Sequence, residues 1–278
     1  MSTLYVIGNG FDLKHKIPSK YSDFANFVMN TNYNLFQQIE RCLLNLSPYN
    51  SLWCNFENAL GTQDLSELLK DVRKNKEKGR DYPIGIYYDD LNESMQKWIL
   101  SLKQYISISY LVGKKYYFES DASFLSFNYT NTLEDLYKIN KSRICHIHEY
   151  VDGKDKQKAE LFTGYIYGHG LRSIEINLDN CDESDKWELK ETIKSFAKEI
   201  KIDELEGFVS KLPDISDIVV LGHSLGLVDK PYFERLFDQF KNAYWKIGYY
   251  DQNDLINKNY NCRQIGIPVS NIDFFQDN

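Results

Sequence analysis

Five consecutive residues, Thr3-Leu4-Tyr5-Val6-Ile7, stop at Gly8-Asn9-Gly10, and this junction constrains the chain more than any other. An apolar run this short, without polar alternation, suits a strand buried on both faces, and such strands belong to parallel sheets covered by helices. Parallel neighbours cannot be joined by a hairpin, so helices must return the chain between strands. The same grammar recurs at Asp217 to Leu221, which runs into Gly222. Further strand patterns fall at 122–127, 143–148, 163–167, 243–248 and 264–267. Between them the apolar spacing turns helical: Tyr21, Phe24, Phe27 and Val28; Leu65, Leu68, Leu69 and Val72; Leu91 to Ile106; one or two helices within Lys186 to Leu212; and Pro231 to Lys241. Lys74 to Arg80 reads as a loop. The expectation is an α/β fold, a Rossmann-like, mostly parallel sheet flanked by helices. An ordinary crossover is far shorter than the stretch after the first strand. Residues 30–118 therefore read as a helical insertion within one domain spanning 1–278.

Charge and cysteine usage narrow the class. Lysine and arginine total 33 against 40 aspartates and glutamates, a net charge of −7, so no dedicated nucleic-acid surface is expected. The five cysteines are scattered with no CxxC pair, which suits reduced thiols in a cytoplasmic protein. No basic leader precedes the first strand and no run of 18 apolar residues exists, so neither a signal peptide nor a membrane span is expected.

Four constellations carry candidate chemistry. Gly8-Asn9-Gly10-Phe11-Asp12 follows a strand and opens a helix, a setting in which backbone N–H groups and the helix dipole meet a phosphate. Leu13 stands where the dinucleotide fingerprint has its third glycine, and no acidic residue ends a second strand about 20 residues on, which disfavours an ordinary NAD dehydrogenase. A plain strand-to-helix turn is the alternative. Asn128 ends the strand at 122–127 and is expected at the carboxyl edge of the sheet, where it either binds a ligand or caps the next helix. His146 and His148 alternate, so a strand would set both on one face, suited to acid/base work more than to a metal, since no third ligand is evident. Gly222-His223-Ser224-Leu225-Gly226 matches the GxSxG nucleophile elbow, but no histidine follows it to complete a triad in hydrolase order. The other reading is a glycine turn with Ser224 on a ribose or phosphate and Asp229 close by. Glu57 reads as a solvated or salt-bridged residue more than as a catalytic carboxylate.

In order along the chain, VIGNGFDL (6–13), IPSKYSDF (17–24), WCNFENAL (53–60), FLSFNYTNTLEDLY (124–137), HIH (146–148) and LGHSLGLVDKPYF (221–233) resemble the AbiH family of bacterial abortive-infection, anti-phage proteins. That family usually has glycine after the second histidine, where this chain has Glu149. A more distant resemblance is to sirtuin-like domains, with a glycine-rich first turn, an asparagine at a strand end, a histidine and a late glycine-serine turn in the same order. The two resemblances together imply phage defence by cleavage of NAD, a substrate rather than a resident cofactor, at the nicotinamide–ribose bond. No metal is expected. Asn128 and His148 would be catalytic, with His146 in reserve. Gly8, Asn9, Gly10, Phe11, Asp12, Gly222, His223, Ser224 and Asp229 would hold the nucleotide. Such enzymes often assemble, so a homo-oligomer and a phage-derived trigger are the implied partners. The alternatives are a nucleotide-sensing module without catalysis and a serine hydrolase using Ser224.

Overall fold

The computed structural model describes residues 2–43, 53, 55–79, 82–113, 115–149, 167–171, 174–178 and 181–277. Its strands are β1 (Ser2–Ile7), β2 (Ser123–Ser126), β3 (Ile144–His146), β4 (Ile215–Leu221), β5 (Tyr244–Tyr249) and β6 (Ile272–Gln276). They form one sheet in the order β3-β2-β1-β4-β5-β6, and every pairing is parallel. This is the strand order of doubly wound dinucleotide folds, and it reverses direction between β1 and β4. The expected α/β, Rossmann-like architecture is therefore present. The helices are α1 (Asn9–Lys14), α2 (Tyr21–Thr31), α3 (Tyr33–Cys42), α4 (Phe56–Leu60), α5 (Leu65–Lys78), α6 (Tyr88–Val112), α7 (Thr132–Asp135), α8 (Glu183–Lys194), α9 (Ile202–Val209), α10 (Lys230–Gln239) and α11 (Gln252–Ile265).

By its internal contacts the chain divides into two compact units. The first comprises Met1–Ser19, Ile99–Thr163 and Ile200–Asn278, and it holds the whole sheet. Side chains alternate across its strands, so each face has its own core. Leu4, Val6, Leu125, Ile218, Val220, Trp245 and Ile247 join Leu205, Tyr232, Phe233 and Cys262 from α9, α10 and α11 on one face. Tyr5, Ile7, Phe124 and Leu221 join Phe11, Leu133, Leu136 and Tyr137 on the other. Burial on both faces is why β1 reads as unbroken apolar sequence.

The second unit comprises Lys20–Trp98 and Gly164–Glu199. Its centre is aromatic: Trp53 stacks on Phe56 at 5.1 Å, and Phe24 meets Trp98 at 5.2 Å. Beside them a partly buried ion pair joins Lys198 Nζ to Glu57 Oε2 at 3.1 Å, and Tyr21 donates to the other Glu57 oxygen. Glu57 is thus salt-bridged, as its sequence context suggested.

Two local expectations differ from the structure, and a third falls on residues it hardly describes. Residues 74–78, read as a loop, belong to α5, which runs from an Asp64 cap to Gly79 at φ 57°. The apolar stripe ends early, but lysine and glutamate favour helix and the terminal caps hold the last turn. Gln264 and Ile265, read as strand, close α11, and Gly266 at φ 93° turns the chain toward the true last strand, β6. The strand expected at 163–167 lies almost wholly outside the described residues. No helix is long and apolar enough to cross a membrane among the described residues. Cys42, Cys145, Cys181 and Cys262 are free thiols, and Cys54 lies outside the described residues.

Candidate functional site

The carboxyl ends of β1 and β4 meet through glycine. The Gly8 N–H donates to the Leu221 carbonyl at 2.9 Å, and the Gly10 N–H donates to the Gly222 carbonyl at 2.8 Å. A Cβ on Gly10 would lie 2.8 Å from Gly222 Cα, and one on Gly8 would lie 2.5 Å from His223 Cα. Gly222 adopts φ 67°, and a Cβ there would fall 2.2 Å from the Phe11 nitrogen. The glycines that read as a phosphate cradle thus let two turns touch backbone to backbone, and two of their N–H donors face protein carbonyls. Phe11 is fully buried and stacks on Tyr116 at 5.3 Å, so its ring is core. Asn9 is exposed, and its side-chain oxygen accepts from Ser19.

Asp12, one turn into α1, is 1 % exposed. Its two oxygens accept from Thr130 Oγ1 at 2.6 Å and Thr132 Oγ1 at 2.8 Å. Burial pushes its carboxyl up to about 6, against the opposing effect of hydrogen bonds from Thr130, Thr132 and Asn128 and of the nearby His146. Asn128 is buried just past β2, with its own N–H on Ser126 Oγ at 3.2 Å. Its side-chain amide donates to Asp12.

The two histidines of the HIH run face different carboxylates. His146 ends β3 and sets Nε2 2.9 Å from Glu134 Oε1. His148 lies beyond the strand, where alternation no longer governs direction. Its ring packs edge-on to Phe127 at 5.0 Å, and its Nε2 lies 3.3 Å from Asp229 Oδ1. The expectation of one shared face assumed that the strand continued through 148.

Asp229 also reaches a second ring. His223 Nε2 lies 3.5 Å from Asp229 Oδ2, while His223 Nδ1 accepts from the Leu225 N–H at 2.9 Å. That bond fixes the tautomer with the proton on Nε2, facing the carboxylate. Phe127 packs against both histidines, its ring 4.3 Å from that of His223. The residue just past β2, the turn after β3 and the turn after β4 thus converge on two histidines around one carboxylate.

Ser224 is exposed, and its hydroxyl accepts from the Gly226 N–H at 3.3 Å. The adjacent His223 directs both ring nitrogens elsewhere, and the left-handed residues of the turn are Gly222 and Leu225, at φ 67° and 56°, not the serine. This geometry is not that of an activated nucleophile. Glu149, which stands where the family pattern has glycine, adopts φ 63° and pairs with Lys201 at 2.7 Å. The position is left-handed, which is why glycine suits it.

Sequence reasoning placed Asp229 near a ligand but missed its role between two histidines. It also missed Thr130, Thr132, Glu134 and Phe127. Thr130 is a possible cap for the helix that Thr132 opens, and nothing in the sequence pairs Glu134, on that helix, with a histidine on a strand. Among the described residues, no group of three or more histidine, cysteine, aspartate or glutamate side chains could hold a metal ion. A family model described as Bacteriophage abortive infection AbiH matches residues 4–249. A search of curated proteins found no match.

Proposed function

The chain belongs to the AbiH family, whose description is bacteriophage abortive infection, and from that premise we propose that it binds a nucleotide at the carboxyl edge of its sheet and hydrolyses the nicotinamide–ribose bond of NAD. The observation that carries this reading is Asp229 set between His148 and His223, 3.3 Å and 3.5 Å away, at strand ends that also present Asn128. A carboxylate that orients a histidine and stabilises its protonated form is the working unit of a general base. Doubly wound sheets bind ligands outside the carboxyl ends of their strands, at the reversal of strand order, which here falls between β1 and β4.

In the proposed reaction the bond from ribose C1′ to the nicotinamide nitrogen breaks, and its electron pair leaves with neutral nicotinamide. The ribose passes through an oxocarbenium-like state, as in glycoside hydrolysis. Water attacks C1′ and gives its proton to His148, whose positive charge Asp229 stabilises. The products are nicotinamide, ADP-ribose and a proton. The Asn128 carbonyl orients the water or a ribose hydroxyl. His146 is held by Glu134 and serves as the reserve base. Gly8, Asn9, Gly10, Gly222, His223 and Ser224 form the nucleotide-facing wall, with the backbone of the first turn near the pyrophosphate and Ser224 at its rim, and the buried Phe11 and Asp12 side chains support that wall from within. The side chains of His148 and His223 are only 5 % and 6 % exposed, so the base works out of bulk water.

The test is nicotinamide release by purified protein given NAD, with and without phage lysate, for wild type and the variants His148→Ala, Asn128→Ala and Ser224→Ala. Release lost in His148→Ala and Asn128→Ala supports the reading. A wild type that binds NAD and never releases nicotinamide, even with lysate, makes the protein a nucleotide sensor instead. An esterase signal lost only in Ser224→Ala makes it a serine hydrolase.

A further inference from the structure

Asp12 touches more of the site than a ligand contact would require. Its carboxylate is closed off from water and bound by Thr130 and Thr132, one hydroxyl on each oxygen at 2.6 Å and 2.8 Å. Thr130 and Thr132 are themselves buried, and their hydroxyls lie 3.1 Å apart. Both donors belong to the segment that leaves β2, the segment that opens with Asn128. On its other side, the turn that carries Asp12 is fastened to β4 by the Gly8 and Gly10 hydrogen bonds to Leu221 and Gly222. The β1 turn is therefore the joint between the loop that presents Asn128 and the loop that presents His223.

A buried carboxylate that accepts two hydroxyls and the Asn128 side-chain amide is committed to donors of its own chain, and removing it would leave those buried donors to find other partners. Its geometry is that of a clamp. Resting on the proposed NAD-cleaving reading, we propose that Asp12 is a positioning residue: through Thr130, Thr132 and the Asn128 amide itself it holds the 128–132 segment so that Asn128 stays aligned with His148 and Asp229, and it does not itself touch the nucleotide. This replaces the role of nucleotide contact that its place in the glycine turn suggests.

Two readouts keep this proposal separable from the reading on which it rests. The first needs no activity: hydrogen exchange of the Asn128 side-chain amide, followed by NMR in the full chain. In wild type that amide should be protected. In Asp12→Ala it should exchange at least tenfold faster while the backbone amides of β4 and β5 keep their protection, which separates a loosened segment from a loosened fold. Thr130→Val gives the same comparison if Asp12→Ala does not fold. Unchanged exchange at Asn128 in both variants overturns the proposal whether or not NAD is cleaved. The second readout is kinetic. Loss of alignment should lower kcat on the order of 10²-fold while KM moves less than about threefold. The conservative Asp12→Asn should recover part of the loss. A raised KM with unchanged kcat would make Asp12 a nucleotide contact and overturn the proposal. Increased exchange in a protein that never releases nicotinamide would keep the clamp and refute only the NAD-cleaving reading.

Discussion

Gly10 and Gly222 lie so close that a Cβ on Gly10 would sit 2.8 Å from the Gly222 α-carbon, and the Gly10 N–H donates to the Gly222 carbonyl. One contact therefore locks the turn after β1 to the turn after β4. Gly222→Ala would add a left-handed alanine, at φ 67°, and a methyl 2.2 Å from a backbone nitrogen. The expected loss is roughly 2–4 kcal/mol of folding stability, measured by urea denaturation. Gly79→Ala, at a left-handed helix end with open space around it, should cost only about 1–2 kcal/mol. Equal losses at the two positions would mean that the contact between the turns is not the constraint.

Asp229→Asn keeps the size of the group between His148 and His223 and removes its charge. On the proposed mechanism nicotinamide release should fall about 10²- to 10⁴-fold. Ser224→Ala, at the exposed rim, should raise KM and leave kcat within about threefold. A steady-state comparison of the two variants checks both expectations.

Asp12 makes stability depend on pH. Its carboxyl is held at about 6 in the folded chain against an ordinary value of 3.8, so between those values the folded state binds more protons than the unfolded one. Stability therefore falls as pH rises through this window and stays lower above it, by about 3 kcal/mol at about 1.4 kcal/mol per tenfold change in acidity. His15 works in the opposite sense, because burial holds it below 6.5. Comparing wild type with Asp12→Asn at pH 4 and pH 7.5 cancels the histidine. The variant should gain on wild type at the higher pH, and a constant difference would contradict this account.

In the second unit, Lys198 is 1 % exposed at its side chain and faces Glu57. Removing only the cation, as in Lys198→Met, leaves the carboxylate without its ion pair and should cost about 3–5 kcal/mol. The double variant Lys198→Met with Glu57→Gln should recover much of that loss. Thermal unfolding of the three chains gives the coupling.

Glu149 holds a left-handed conformation without being glycine, at φ 63°. Glu149→Gly relieves strain of roughly 1 kcal/mol, loses a comparable amount through the freer unfolded chain, and removes one partly exposed ion pair. The net change in stability should stay within about 1 kcal/mol. Glu149→Val should be clearly worse, since a β-branched residue resists this conformation.

The strands β1 and β4 were legible because burial on both faces leaves an unbroken apolar run that ends at glycine. The helices of the second unit were legible by their spacing, but α5 outran its apolar stripe, since its last turn rests on propensity and caps. The HIH run shows the opposite case. A rule of alternation holds only while the strand lasts, and β3 ends at His146. His148 was therefore free to turn toward a carboxylate more than 80 positions away in sequence.

The sequence by itself determined that this chain is α/β with a parallel sheet, where its glycine turns fall, and which family it resembles. Those properties are written in local pattern: periodicity, turn residues and ordered motifs. Only the tertiary structure decided what the turns and polar residues face. The glycines of the first turn meet the backbone of Gly222, Asp12 meets two threonines, and Asp229 lies between two histidines. Each of these is a long-range pairing, and such partners are chosen by the order and register of the strands, which local sequence does not encode.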